Sequence, residues 1–187
     1  MDDVAVARQK RQSEFTAGRR CAEMLLKRMG SPEQVWVNPD RSPEWPAGFV
    51  GSISHSSSWT WAAVGRNAEV QSIGIDTERV VDRETREQIS QDIASESEWN
   101  IVNAIDLSPE QIFTLVFSAK EAFYKCCYPL TRQYFGFEHA IVESASPNRL
   151  RIAIAESNPG RGQLPAALDV HFLVLGSDIF TATWMEA

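Results

Sequence analysis

Ser108, Pro109 and Gln111 open the segment that most limits how this chain can fold. A hydroxyl at the N-cap, proline at the first helical position and glutamine three residues past the cap form a capping box, which satisfies two otherwise orphaned backbone donors reciprocally. The helix they start is expected to run to Pro129. At about 100° per residue, Ile112, Leu115, Val116, Ala119, Ala122, Phe123 and Cys126 fall within roughly 60° of one line, so the rest of the protein must cover that face. Thr114, Ser118, Glu121 and Lys125 fall on the other side. Glu121 and Lys125 stand at i and i+4, which taken alone means a routine surface ion pair.

Strands are available to cover the apolar face. Short strand patterns follow at 140–143, 150–155, 168–175 and 179–184, separated by turn-rich stretches such as Ser157-Asn158-Pro159-Gly160. The first half has the same order. A helix is expected over 3–29, where Ala22, Leu25, Leu26 and Met29 recur at helical spacing and Gly30-Ser31-Pro32 supplies a stop. A proline-rich loop occupies 38–48, a strand enters at Phe49, and strands at 59–65 and 69–78 are joined by Arg66-Asn67-Ala68. Between the halves, 81–105 is polar and helical, with Ile89, Ile93, Trp99, Val102 and Ile105 as its apolar contacts. Helix followed by strands in each half predicts an α+β fold of two similar halves, 1–105 and 106–187, although no residue-level repeat accompanies it.

With 43% hydrophobic and 23% charged residues the chain lies away from the disordered regime. Eighteen Lys+Arg against 25 Asp+Glu give a net charge of -7, so no global positive field exists to hold nucleic acid and any polyanion site must be local. One local basic stripe is present. Arg8, Arg11, Phe15 and Arg19 fall within about 80° of one another, on the line that later carries Ala22 and Leu26, which aims guanidinium groups at the protein body unless Gly18 breaks the register; a solvated basic helix face is the equal alternative on this spacing alone. The three cysteines, Cys21, Cys126 and Cys127, suit neither a disulfide framework nor a spaced zinc site, so a reducing cytoplasm is the simplest compartment. No apolar run reaches the roughly 18 residues of a membrane span.

Two further features carry chemistry. In the strand over 69–78, Ile73 and Ile75 alternate with Gly74 and Asp76, which puts Asp76 and Glu78 on one face, about 6 to 7 Å apart at Cα. Two carboxylates so placed can meet on one divalent ion, although an isolated pair of this kind is more often a solvated strand end. Small hydroxyl side chains in GSISHSSS, from Gly51, let a ligand come close to backbone donors, with His55 at the edge; a lone histidine in such a loop is more often polar decoration.

Taken together, GSISH at 51–55, GIDTE at 74–78 and FSAKEAFYK at 117–125 resemble the signature blocks of the 4'-phosphopantetheinyl transferases, in the Sfp class and its EntD-like branch of siderophore synthetases. RQSEFTAGRRCA at 11–22, the WPAG before GSISH and PLTRQYFGFEHA after the helix look like that branch too. The resemblance covers nearly the whole chain in the family's order. It implies transfer of the phosphopantetheine arm of coenzyme A to a serine of an apo acyl or peptidyl carrier protein, with release of adenosine 3',5'-bisphosphate. It implies Mg²⁺, or Mn²⁺, held by Asp76, Glu78 and Glu121. Glu121 is expected to act as base and Lys125 to hold the pyrophosphate, while Arg11, Arg19, Arg41, Ser54 and His55 bind coenzyme A, with Arg8 and Lys120 as weaker candidates. Carrier docking is expected around Cys126 to Phe137. It further implies two halves packed as a pseudo-twofold pair, a monomer whose one chain supplies the whole site, and carriers of siderophore, nonribosomal peptide, polyketide or fatty-acid synthesis. The alternative is a non-catalytic module that binds coenzyme A or a carrier protein.

Overall fold

The computed structural model describes the backbone of residues 3–187, with the side chain of Gln9 and those from Gln12 onward. The chain begins with α1 (Asp3–Arg28), followed by the two-residue strands β1 (Trp36–Val37) and β2 (Pro43–Glu44). The hairpin β3 (Phe49–His55) and β4 (Thr60–Arg66) comes next, then β5 (Val70–Arg79). Helices α2 (Arg83–Ile93), α3 (Glu96–Val102) and α4 (Pro109–Thr131) lead into β6 (Ala140–Ser146), β7 (Arg149–Ile154), β8 (Ala167–Leu175) and β9 (Asp178–Glu186). The fold is α+β, as the sequence predicts.

The capping box of α4 forms as expected, with Ser108 and Gln111 side chains bonded to each other's amides. The helix continues two residues past the expected end, through Pro129, and stops where Arg132 turns left-handed. All seven residues of the apolar stripe are buried. They pack on an antiparallel sheet of order β5-β9-β8-β7-β6, against Val142, Leu150, Ile152, Val170 and Ile179. The polar side of α4 is not a solvated face. Thr114 and Ser118 are buried, with Thr114 Oγ1 accepting from Val81 N and Ser118 Oγ bonded to Thr181 Oγ1.

The single polar segment expected over 81–105 is two helices, because Ser95 makes a second capping box with Glu98 and starts α3 afresh. A smaller core lies under α1, where Ala22, Leu26 and Val35 meet Trp45, Phe49 and Ile53. Gly18 does not break α1; its lack of a Cβ lets the helix sit against Ile53. Among the described residues no helix is long and apolar enough to cross a membrane.

β5 joins the sheet of the four C-terminal strands. β5 pairs with β9, from Gly74 opposite Thr183 to Arg79 opposite Asp178. Its other edge meets β3 through side chains: Ser52 Oγ accepts from Ile75 N at 3.1 Å and Ser54 Oγ from Thr77 N at 3.2 Å. These serines satisfy amides that would otherwise stand unpaired at a buried edge.

Candidate active site

Gly74 brings the helix to the strand. A Cβ there would overlap the Ala122 carbonyl oxygen and stand 2.6 Å from Cys126 N, so only glycine lets α4 lie directly on β5. Ser72 Oγ, two residues earlier, donates to Cys126 O at 2.6 Å and fixes the helix lengthwise. Asp76 then follows two residues later on the same face as Gly74, close against α4.

Asp76 is 3% exposed. Its Oδ1 accepts from Ser54 Oγ at 2.9 Å and from Lys125 Nζ at 2.6 Å. Lys125 Nζ also lies 3.3 Å from Ser54 Oγ. The pairing of Lys125 expected along the helix with Glu121 is therefore made across to β5 instead. Asp76 Oδ2 is buried and has no partner. Glu78 and Glu121 complete an acidic neighbourhood. Burial first, then the charges of Asp76 and Glu121, push Glu78 up to about 7 against the pull of Lys125. Burial first, and Asp76 after it, also push Glu121 up, with Lys125 opposing.

Among the described residues, no group of three or more His, Cys, Asp and Glu side chains is arranged to hold a metal ion. The donor set nonetheless suits a hard cation. A buried carboxylate oxygen lacks a partner, and burial together with the crowding of like charge raises the proton affinity of the two neighbouring carboxyl groups, a cost that a cation would relieve.

A cavity of about 740 Å³ opens from Lys125 to the β1–β2 hairpin, with Arg41, Trp45, Ile53 and Tyr128 on its walls. A second hollow of about 160 Å³ lies beside Glu121, walled by Tyr124 and residues 134–137. Burial first, then the neighbouring Tyr128 and Tyr134, push Tyr124 up to about 12, so its hydroxyl keeps its proton as a donor.

The other predicted residues divide. Arg41 sits at the hairpin tip with φ 71° and lines the large cavity. Arg19 is half-buried; its guanidinium lies 3.7 Å over the Phe15 ring, and its Nε is buried without a partner. His55 is at the exposed end of β3, its Nδ1 3.6 Å from Glu14 Oε2. Ser54 supports Asp76 and Lys125 from within the seam. Lys120 is not brought to this cluster: it is 2% exposed, and its Nζ donates to Glu98, Ile93 O and Phe137 O. The side chains of Arg8 and Arg11 lie outside the described residues. Cys126 and Cys127 are fully buried, so the exposed part of the expected docking stretch begins only after them, with Tyr134 80% exposed. Sequence reasoning gave Asp40 and Tyr124 no role and included Tyr128 and Arg132 only in the expected carrier-docking stretch. The i, i+4 spacing of Tyr124 and Tyr128, on either side of Lys125, was the signal available for the two tyrosines.

Comparison with known proteins bears directly on this arrangement. Residues 1–65 match the 4'-phosphopantetheinyl transferase N-terminal domain, and residues 72–168 match the 4'-phosphopantetheinyl transferase superfamily. The chain belongs to that superfamily. Within it, the chain is 36% identical over 138 residues to the 4'-phosphopantetheinyl transferase Npt of Nocardia iowensis, covering 73% of this chain and 61% of the relative. It is 36% identical over 144 residues to PptT of Mycobacterium tuberculosis, covering 70% and 57%. Enterobactin synthase component D of Salmonella typhi is 35% identical over 124 residues, covering 66% and 51%. The matched region thus spans little more than half the length of these superfamily members. The second match takes in Asp76, Glu78, Glu121 and Lys125, and the first takes in Arg19, Arg41, Ser54 and His55.

Proposed function

We propose that this chain transfers the 4'-phosphopantetheine arm of coenzyme A to a serine of an apo acyl or peptidyl carrier protein and releases adenosine 3',5'-bisphosphate. The observation that carries the reading is Asp76, buried with one oxygen on Lys125 and the other unpartnered, with Glu78 and Glu121 near it and Lys125 lining a large cavity.

In the reaction the serine Oγ forms a bond to the β-phosphorus of coenzyme A, and the bond from that phosphorus to the oxygen bridging the two phosphates breaks. The bridging oxygen leaves with adenosine 3',5'-bisphosphate. Glu121 takes the serine proton, and its raised affinity for protons suits that role. Lys125 supplies positive charge to the pyrophosphate as negative charge grows on the leaving phosphate. Mg²⁺ or Mn²⁺, held by Asp76, Glu78 and Glu121, would neutralise pyrophosphate oxygens there. Arg41, lining the far part of the cavity, and Arg19, with its unused donor, hold the nucleotide phosphates, with Arg11, Ser54 and His55 assisting. The names of the enterobactin synthase relatives support a carrier of the siderophore-synthesis kind. One chain carries all of these groups, which supports a monomeric enzyme.

Intact-mass analysis of an apo carrier protein incubated with this protein, coenzyme A and Mg²⁺ tests the proposal. The expected result is a gain on the order of 340 Da, lost with Glu121→Gln and with EDTA. No gain on acyl or peptidyl carriers, with coenzyme A still bound, would overturn transfer and leave a binding module.

A further inference from the structure

The hairpin that carries Arg41 is tied to α4 through the Asp40 carboxylate, with a longer contact of 3.4 Å from Arg132 to Ser42 Oγ beside it. Asp40 Oδ2 accepts from Tyr128 Oη at 2.7 Å and lies 3.3 Å from an Arg132 guanidinium nitrogen, both residues at the C-terminal end of α4. Its Oδ1 accepts from Ser42 N at 2.9 Å and from Ser42 Oγ at 2.6 Å, which closes the loop on itself. Arg41 N donates to Asn38 O at 2.8 Å, so the turn is bonded on either side of its tip.

Two backbone features make this more than a surface ion pair. Arg41 has φ 71° and Arg132 has φ 54°, so both arginines adopt the left-handed conformation that a side chain disfavours. Surrounding bonds must hold them there. Because Asp40 precedes Arg41 directly, anchoring Asp40 on α4 also fixes the direction in which Arg41 leaves the chain. That direction is the wall of the 740 Å³ cavity which ends at Lys125. The Asp40 carboxyl is held well below its ordinary range, first by the Ser42 hydroxyl and then by Tyr128, and so stays an acceptor at neutral pH.

We propose that Asp40, Tyr128 and Arg132 form a latch that holds the hairpin over the cavity, and that Asp40 and Tyr128 are positioning residues for the phosphate-bearing end of coenzyme A, acting through Arg41. The proposal rests on the function proposed above. The latch matters to binding because a cation already fixed in place loses little freedom when it meets a phosphate.

Calorimetry with adenosine 3',5'-bisphosphate on the full chain tests it, using wild type, Asp40→Asn, Tyr128→Phe, Arg41→Ala and the double variant Asp40→Asn/Arg41→Ala. Asp40→Asn is expected to weaken binding about tenfold or more, and Tyr128→Phe several-fold. The double variant is expected to bind no worse than Arg41→Ala, because Asp40 works through that side chain. In steady state Asp40→Asn raises KM for coenzyme A while kcat at saturation stays within about twofold, a split that general loss of folded protein does not produce. Trypsin cleavage after Arg41 is expected to quicken in Asp40→Asn as the loop comes free. Wild-type affinity in Asp40→Asn, or additive losses in the double variant, would overturn the latch alone. Failure of the wild type to bind the bisphosphate would overturn the functional reading, and the latch with it.

Discussion

Lys120→Met strands a buried carboxylate. In the native protein Lys120 Nζ donates to Glu98 Oε1 at 2.7 Å, Ile93 O at 2.8 Å and Phe137 O at 3.2 Å. Methionine keeps most of the aliphatic stem but leaves Glu98, 5% exposed, with only the Ser95 and Val142 donors, removes the Lys120 donor from Ile93 O and leaves Phe137 O with the Ala140 amide alone. Removing one member of a buried pair costs about 3–5 kcal/mol. A domain of this size has about 5–15 kcal/mol in total, so the variant keeps its fold narrowly or loses it. Adding Glu98→Gln neutralises the stranded charge, and the double variant is expected to be about 1–3 kcal/mol more stable than the single losses sum to. Urea denaturation of the four proteins reads the cycle, provided the m-values agree. A Lys120→Met loss below about 1 kcal/mol, or single losses that add within about 0.5 kcal/mol, would refute the reasoning. Acid supplies a second check. Burial pushes Glu98 upward, but donation from Lys120, Ser95 and Val142 outweighs it and holds the carboxyl below its ordinary 4.5. A depressed carboxyl contributes stability that is full above the unfolded value and lost as pH falls through the folded one. The stability gap between wild type and Glu98→Gln is therefore expected to be complete near neutrality and to close below about pH 4.5.

Gly74→Ala drives a Cβ into the Ala122 carbonyl, so α4 must back away from β5, and holo-carrier formation is expected to fall at least about tenfold, whereas Gly162→Ala, with nothing within 4 Å, leaves the rate unchanged. Ser54→Ala removes the acceptor of Thr77 N and a donor to Asp76, for an expected loss of about 1–3 kcal/mol in urea denaturation. Mg²⁺ is expected to raise the melting temperature of the wild type and not that of Asp76→Asn, with EDTA reversing the effect; an equal shift in both would show that Asp76 is not a ligand.

Local signals carried much of this protein in its sequence. The N-cap of α4 was readable because a capping box is satisfied within four residues, and the buried stripe because helical periodicity is a property of the segment alone. Alternation likewise put Asp76 and Glu78 on one face of β5 before any partner strand was known. Partner choice was not local. Glu121 and Lys125 sit one turn apart, yet Lys125 bonds to Asp76, 49 residues away, because Gly74 admits the helix to the strand and brings Lys125 to the buried Asp76 carboxylate. The polar face of α4 read as solvated for the same reason: the pattern records which residues are polar and not what meets them, and here β5 and β9 do. Lys120 is the sharpest case. Next to Glu121 in a motif full of charge, it was a candidate for the ligand, but its azimuth on the helix turns it toward Glu98 and two carbonyls. The Asp40 latch had no signal in the hairpin itself, since it joins positions 88 and 92 residues apart. Sequence determined which groups stand on each face of each element; only the packing of α4 between β5 and the hairpin decided which of them meet, because hydrogen bonds and ion pairs act over a few ångströms and only the folded chain sets those distances.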